Sequence, residues 1–277
     1  MPIDLDNADP LFSLERSYPF FRKSPLRQKI ARLLDRTLGL DQLSSIPANV
    51  PHGYQNPYQH ARQQRGWTID DLDNFSARIP KSGPTIVIAN HPYGALDAFI
   101  ASELTLTSRP DMRVFGNAVL NHPCHQHCFL PLEILDESPE ARRRNLQSLR
   151  TALTHLKNGG CLLIFPAGEV ERWRWSTRRI EEGPWTPHLA RLAQKSHATI
   201  LPTAFPGENP LWFHLPGTIQ PTLRLLAMPR AFLNLEKSTI PFRTGSPIPP
   251  QNLPSNPQNL TAFLRKNVLQ LANRLPD

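Results

Sequence analysis

Covalent staples, membrane spans and nucleotide-binding turns are all missing from this sequence. Only three cysteines occur in 277 residues, Cys124, Cys128 and Cys161. That is too few for a disulfide framework and fits a reducing compartment. No run approaches the ~18 to 20 consecutive apolar residues that cross a bilayer. The opening MPIDLDNADPLF is acidic and lacks an apolar stretch, so no secretory signal is expected. Neither a Walker A nor a G-x-G-x-x-G turn occurs, which leaves nucleotide triphosphate and dinucleotide chemistry without support. A G-x-S-x-G nucleophile elbow is absent too.

Proline and positive charge are plentiful. The 30 prolines are about twice the usual share. Lys+Arg is 31 against Asp+Glu 23, a formal charge of +8 with a pI near 9.8. Such a balance suits an anionic partner: nucleic acid, an acidic protein, a phosphorylated ligand or an anionic membrane. With 39% apolar and 19% charged residues the composition is that of a folded domain.

Part of the proline is helix punctuation. Ser24-Pro25, Ser138-Pro139, Thr186-Pro187 and Asn256-Pro257 each pair a capping side chain with proline at the first helical position. Another part lies in Pro241 to Pro257, expected as a loop before a last helix. The first helix, Leu26 to Leu38, sets Leu26, Ile30, Leu33, Leu34 and Leu38 on one face and stops at Gly39. From Arg16 to Arg36 there are seven basic residues and one acidic. Such a helix can lie on a membrane or dock on the domain. The same two readings hold for the last helix, with Leu260, Leu264, Val268, Leu271 and Leu275.

Between them, strands are expected at Thr85–Ala89, Met112–Gly116, Phe129–Ile134, Cys161–Phe165, Thr199–Ala204, Thr222–Ala227 and around Thr239–Arg243. Helices are expected at Leu96–Leu106, Glu140–Leu156 and His188–Gln194. The alternation predicts an α/β fold with a mostly parallel or mixed sheet flanked by helices. Residues 1–80 are expected as a helical N-terminal extension packed on an α/β domain of residues 81–277, with no internal repeat.

The sharpest chemical feature is Ile88-Ala-Asn-His91-Pro-Tyr-Gly-Ala-Leu-Asp97. It places His91 at the carboxyl end of a strand, where ligands bind in open α/β sheets. Asp97, in the first helical turn, could hold one ring nitrogen so that the other takes a proton from a hydroxyl. Equally, Asp97 could serve only its helix N-terminus and His91 a turn. The strand Cys161–Phe165 runs into Pro166-Ala-Gly168-Glu169-Val-Glu-Arg172, a glycine turn whose N–H groups could face an anion. A third strand ends in Phe205-Pro-Gly-Glu-Asn209. Three such ends on one sheet edge make a catalytic cleft, or three ordinary loops.

Arg142, Arg143 and Arg144 fall in the first turn of a helix, against its dipole, which an anion would offset. Each alone also reads as a solvated basic residue. Arg172-Trp-Arg-Trp-Ser-Thr-Arg-Arg179 interleaves two tryptophans with four arginines. It suits lipid head groups, an acidic carrier protein, single-stranded nucleic acid or a plain surface strip. His122, Cys124, His125, His127 and Cys128 crowd into one loop. Zinc usually takes two separated pairs, so no metal site is expected there.

Taken in order, IANHPYGALD, ARRRNL, FPAGEVER, EEGPWTPHLARLA, ILPTAFPGEN and Met228-Pro-Arg-Ala-Phe-Leu-Asn234 resemble the lysophospholipid acyltransferase-like (glycerolipid acyltransferase) superfamily, from about Pro84 to Pro249. The resemblance is greater to its hemolysin-like branch, which includes ornithine-lipid O-acyltransferases. It implies that His91 is the general base, Asp97 its orienting partner, and the Phe165–Glu169 turn part of acceptor binding. Two departures stand out: His-x5-Asp replaces the usual His-x4-Asp, and Ala167 replaces the Glu of the FPEG turn.

The expected activity is acyl transfer from an acyl carrier protein or CoA thioester to the hydroxyl of a lyso-lipid. Acyl-thioester hydrolysis is the alternative, and a basic nucleic-acid- or metal-binding protein a more distant one. Expected substrate contacts are Asn90, Arg142, Arg143, Arg144, Phe165, Pro166, Gly168, Glu169, Arg172 and Asn209. No cofactor beyond the thioester co-substrate and no nucleic acid is expected. The expected place is the cytoplasm, peripherally on the inner face of the cell membrane, against an anionic surface.

Overall fold

Short apolar β-branched runs bounded by proline and glycine build the centre of the molecule. The computed structural model describes residues 13–48, 56–121, 125–134, 136–219 and 223–273. The N-terminal part holds α1 (Leu14–Ser17), α2 (Pro19–Arg22), α3 (Pro25–Leu38), α4 (Leu40–Ala48), α5 (Pro57–Arg65), β1 (Thr68–Ile69) and α6 (Leu72–Arg78). There follow β2 (Thr85–Ile88), α7 (Ala95–Ser108), β3 (Arg113–Asn117), β4 (Phe129–Leu132), α8 (Pro139–Lys157) and β5 (Cys161–Ile164). A hairpin of β6 (Arg172–Arg174) and β7 (Arg179–Glu181) leads to α9 (His188–Ser196), β8 (Thr199–Ala204) and α10 (Leu211–Ile219). The chain then runs through α11 (Leu223–Leu233), β9 (Thr239–Ile240), β10 (Arg243–Thr244) and α12 (Pro257–Leu271).

Six strands form one sheet in the order β10-β8-β2-β5-β3-β4. Only β10 runs antiparallel; all the other neighbours are parallel. Side chains alternate across this sheet. Val87, Leu163 and Leu201 enter one core with helices α5 to α7, while Ile86, Ile88, Leu162 and Ile200 enter the other with α8, α9 and α12. The central strands are buried on both faces, which is why they read as unbroken apolar runs.

Three of the expected proline-marked helix starts are closed by their cap. Ser24, Ser138 and Asn256 accept from Arg27, Ala141, and Gln258 and Asn259 backbone N–H groups respectively. At α9 Pro187 itself occupies the capping position and no side chain closes it. Gly39 ends α3 with a left-handed φ of +79°.

Three expectations are corrected. Thr222–Ala227 is no strand: Thr222 lies outside the described residues, and from Leu223 the chain is helix α11. Leucine, alanine and methionine favour helix, and a short apolar run does not carry its own period. The single strand at Thr239–Arg243 is two, split at Pro241, with β9 paired to β1 and β10 to β8. The first 80 residues are not wholly helical, since β1 stitches them to β9 near the other end of the chain.

The two terminal amphipathic helices part ways. α12 buries Leu260, Leu264 and Val268 against the sheet. α3 buries Ala31 and Asp35 instead, and leaves Leu26, Ile30 and Leu33 in water. Among the described residues no helix is long and apolar enough to cross a membrane.

Candidate active site

The carboxyl ends of β2, β5 and β8 lie side by side on one edge, and their loops are stitched together by buried polar groups. Asn90, wholly buried, donates from Nδ2 to the Phe205 carbonyl (2.9 Å) and to Glu171 Oε1 (3.3 Å), and its Oδ1 accepts from Phe205 N–H (2.7 Å). Glu171 N–H donates to the His91 carbonyl at 3.0 Å. Asn209 Nδ2 donates to the Pro92 carbonyl at 2.9 Å. Asn90 and Asn209 were expected to contact substrate. Both are turned inward as ties, because a buried amide must spend its donors and acceptor on the backbone around it.

His91 is partly exposed at this edge, and its Nδ1 lies 3.1 Å from Asp97 Oδ2. A carboxylate only accepts, so the proton of that bond sits on Nδ1, and Nε2 is the nitrogen left to meet a hydroxyl. The same Oδ2 accepts from Tyr93 N–H (2.8 Å) and Gly94 N–H (2.9 Å). Asp97 therefore caps α7 and bonds the imidazole at once. Gly94 makes this possible with φ +81° and ψ −119°, a conformation open to glycine. Burial pushes the Asp97 carboxyl above its ordinary range, while the bonds from His91, Tyr93 and Gly94 pull it back down.

The Phe165 ring leans on the His91 imidazole, with centroids 4.4 Å apart. Pro166 is buried beside it. Gly168 is left-handed at φ +67°, and its N–H is spent on the Phe165 carbonyl at 3.0 Å. Glu169 is half-buried and pairs with Arg174 (2.9 Å) and Arg172 (3.3 Å). Arg174 and Glu171 were not singled out as site residues in the sequence; the repeated Glu-Val-Glu-Arg-Trp-Arg pattern was the signal available for both.

Arg142, Arg143 and Arg144 are exposed and stand apart from this cluster. They begin α8, which follows the edge strand β4 and packs against β4 and β5. Arg144 pairs with Glu133 (2.9 Å) and Asp136 (3.6 Å). In the histidine- and cysteine-rich loop, His122 and Cys124 lie outside the described residues. His125 Nε2 donates to the Leu120 carbonyl, and Cys128 donates to the His125 carbonyl. Burial raises the Cys128 thiol to about 11, far from the thiolate a metal would take. Two surface hollows of about 430 and 400 Å³ lie along α12, away from His91.

A methyl at Gly207 would overlap the Tyr93 hydroxyl, and Tyr93 N–H is one of the bonds that hold Asp97. We expect Gly207→Ala to cost about 100-fold in turnover, the scale of an ångström-sized misplacement of a catalytic group. Adding Tyr93→Leu, which removes the overlap, should recover part of the loss in a steady-state assay.

The mostly parallel sheet thus presents, at the end of a central strand, an imidazole backed by a buried carboxylate. Residues 73–206, just under half of the chain, match the family model described as Acyltransferase. That stretch holds the His–Asp pair and the glycine turn, and marks the chain as an acyltransferase enzyme. No curated protein matches the chain significantly. Among solved structures it is similar to the 1-acyl-sn-glycerophosphate (LPA) acyltransferase PlsC of Thermotoga maritima, at 15% identity and a TM-score of 0.49, over 78% of this chain and 80% of that one.

Proposed function

We propose that the protein moves a fatty acyl group from a CoA or acyl carrier protein thioester to the hydroxyl of a lyso-lipid, at the inner face of a membrane. The Nδ1–Oδ2 bond of His91 and Asp97 is the observation that carries this reading. His91 Nε2 takes the proton of the acceptor hydroxyl as its oxygen attacks the thioester carbonyl. The tetrahedral intermediate collapses as the C–S bond breaks, and the imidazolium returns the proton to the leaving thiolate. An ester and a free thiol result, and no acyl-enzyme is needed. Cys128 and Cys161 are buried, with thiols raised to about 11 and about 12, unlike nucleophilic cysteines.

Around the glycine turn, Glu169 with Arg172 and Arg174 presents both signs of charge. That suits a zwitterionic amino-acid head group, as in a lyso-ornithine lipid, better than a phosphate monoester; a lysophospholipid is the wider class. Membrane attachment is supported by α3. Leu26, Ile30, Leu33 and Leu34 are exposed along one face, flanked by Arg27, Lys29, Arg32 and Arg36, while the acidic Asp35 is buried and accepts from Leu14 N–H.

The test is a purified assay with acyl thioester and lyso-ornithine lipid, lysophosphatidate or no acceptor. Thiol release coupled to a diacylated product, faster with the zwitterionic acceptor, is the expected result. Fatty acid released without acceptor would mark a hydrolase instead.

A further inference from the structure

Large apolar side chains that remain in water fall into two groups. One belongs to α2 and α3, with Phe20, Leu26, Ile30, Leu33 and Leu34. The other brings together residues distant in sequence: Trp175 on the β6–β7 hairpin (70% exposed) and Leu211, Trp212 and Leu215 on α10 (66%, 40% and 62%). α10 packs against β6, the strand that runs directly into Trp175, so the helix and the hairpin are neighbours. Among the described residues only Leu72, Ile134 and Leu146 are exposed in this way elsewhere.

We propose that α10 and the hairpin form a second lipid-contact surface, seated on an anionic bilayer beside the catalytic edge. Tryptophan and leucine with arginine alongside is the composition of a membrane interface. The exposed cations here are Arg178 and Arg179 at the hairpin. The solvent-facing acids here are Glu169, matched by Arg172 and Arg174, Glu181 on β7 opposite Arg172, and Glu208 just before α10; four arginines (Arg172, Arg174, Arg178 and Arg179) against these three leave the surface a small positive balance. That sign selects anionic head groups.

The inner face of α10 is anchored to the active site. Phe213 is wholly buried among Val170, Ala227, Met228 and Ala231. His214 Nε2 donates to the Asn209 carbonyl at 3.2 Å, and Asn209 in turn donates to the Pro92 carbonyl, next to His91. Two hydrogen bonds thus connect the lipid-facing helix to the catalytic loop. Contact with the bilayer through α10 fixes His91 at a set height above it, so that an acceptor hydroxyl at the head-group level reaches Nε2. This last consequence rests on the acyltransferase reading above; the surface itself does not.

Quenching of tryptophan by vesicles of chain-brominated phosphatidylglycerol tests the surface. The full chain should bind and lose emission. Trp173→Phe, Trp175→Phe and Trp212→Phe should each shrink the quenched fraction, and the triple variant should abolish most of it, since Trp67 and Trp185 are buried and half-buried Trp173 packs edge-on against Trp175. With phosphatidylcholine vesicles the partition should weaken roughly tenfold or more. Leu26→Ser with Leu33→Ser should weaken binding, yet excess lipid should restore the quenching. The proposal is overturned by quenching that survives the triple variant, by failure to bind phosphatidylglycerol vesicles, or by a solution dimer that Leu215→Ser splits. Because no turnover is measured, intact quenching with no lyso-lipid acylation would count against the function alone.

Discussion

His91→Ala is expected to lower acyl transfer by about 10²- to 10⁴-fold while the protein stays folded, as judged by circular dichroism and melting temperature. The ring sits at the sheet edge, partly exposed, and gives up only its contact with Phe165 and its bond to Asp97. Asp97→Asn isolates the electrostatic part. Its carbonyl oxygen can sit where Oδ2 does and keep the bonds from Tyr93 and Gly94, with the amide NH₂ replacing Oδ1, which has no hydrogen-bond partner. The fold is therefore retained, but no negative charge remains to steady an imidazolium. We expect a loss on the order of 10³- to 10⁴-fold, as for other histidines stripped of their carboxylate. Activity within threefold of the parent in either variant would refute the general-base role.

Arg62→Ala should be the most damaging single change to stability. Arg62 of α5 reaches both carboxylate oxygens of Glu103 on α7, at 2.7 and 2.8 Å, and the Glu103 side chain is 4% exposed. Truncating the arginine strands a buried charge, at a cost of about 3–5 kcal/mol. For a chain of this size that is about 10 °C or more in melting temperature. Burial already holds the Glu103 carboxyl above its ordinary range, and Arg62 opposes that rise. Without Arg62 the rise is larger. A raised carboxyl contributes its stability below its pKa and loses it as pH climbs through that value, so the deficit should be greatest near neutrality and shrink in acid. Arg62→Met with Glu103→Leu should return close to the parent, because a packed apolar pair needs no partner charge. Equal losses at pH 5 and 8 in thermal melts would contradict this account.

The site was legible wherever its chemistry is local in sequence. His91 and Asp97 lie within one turn of chain, and a strand end, a glycine and a helix start fix their approach. At the start of α8 the sequence did not show that Arg144 has counter-charges in Glu133 and Asp136 of the preceding loop, because only folding shows that those acids reach back. Asn90 and Asn209 look in sequence like polar residues at a ligand edge. Their burial, and the carbonyls they satisfy more than a hundred residues away, depend on which loops the sheet brings together.

From the sequence alone followed the strand–helix alternation, the proline-capped helix starts and the histidine at a strand end, since each depends on neighbours a few residues apart. Tertiary structure decided the rest. It drew α12 into the core and left the leucines of α3 in water. It made α11 a helix, and set Trp175 beside α10. Both terminal helices carry the same apolar periodicity. Which face is buried is decided by the surfaces available to cover it, and those are assembled from the whole chain.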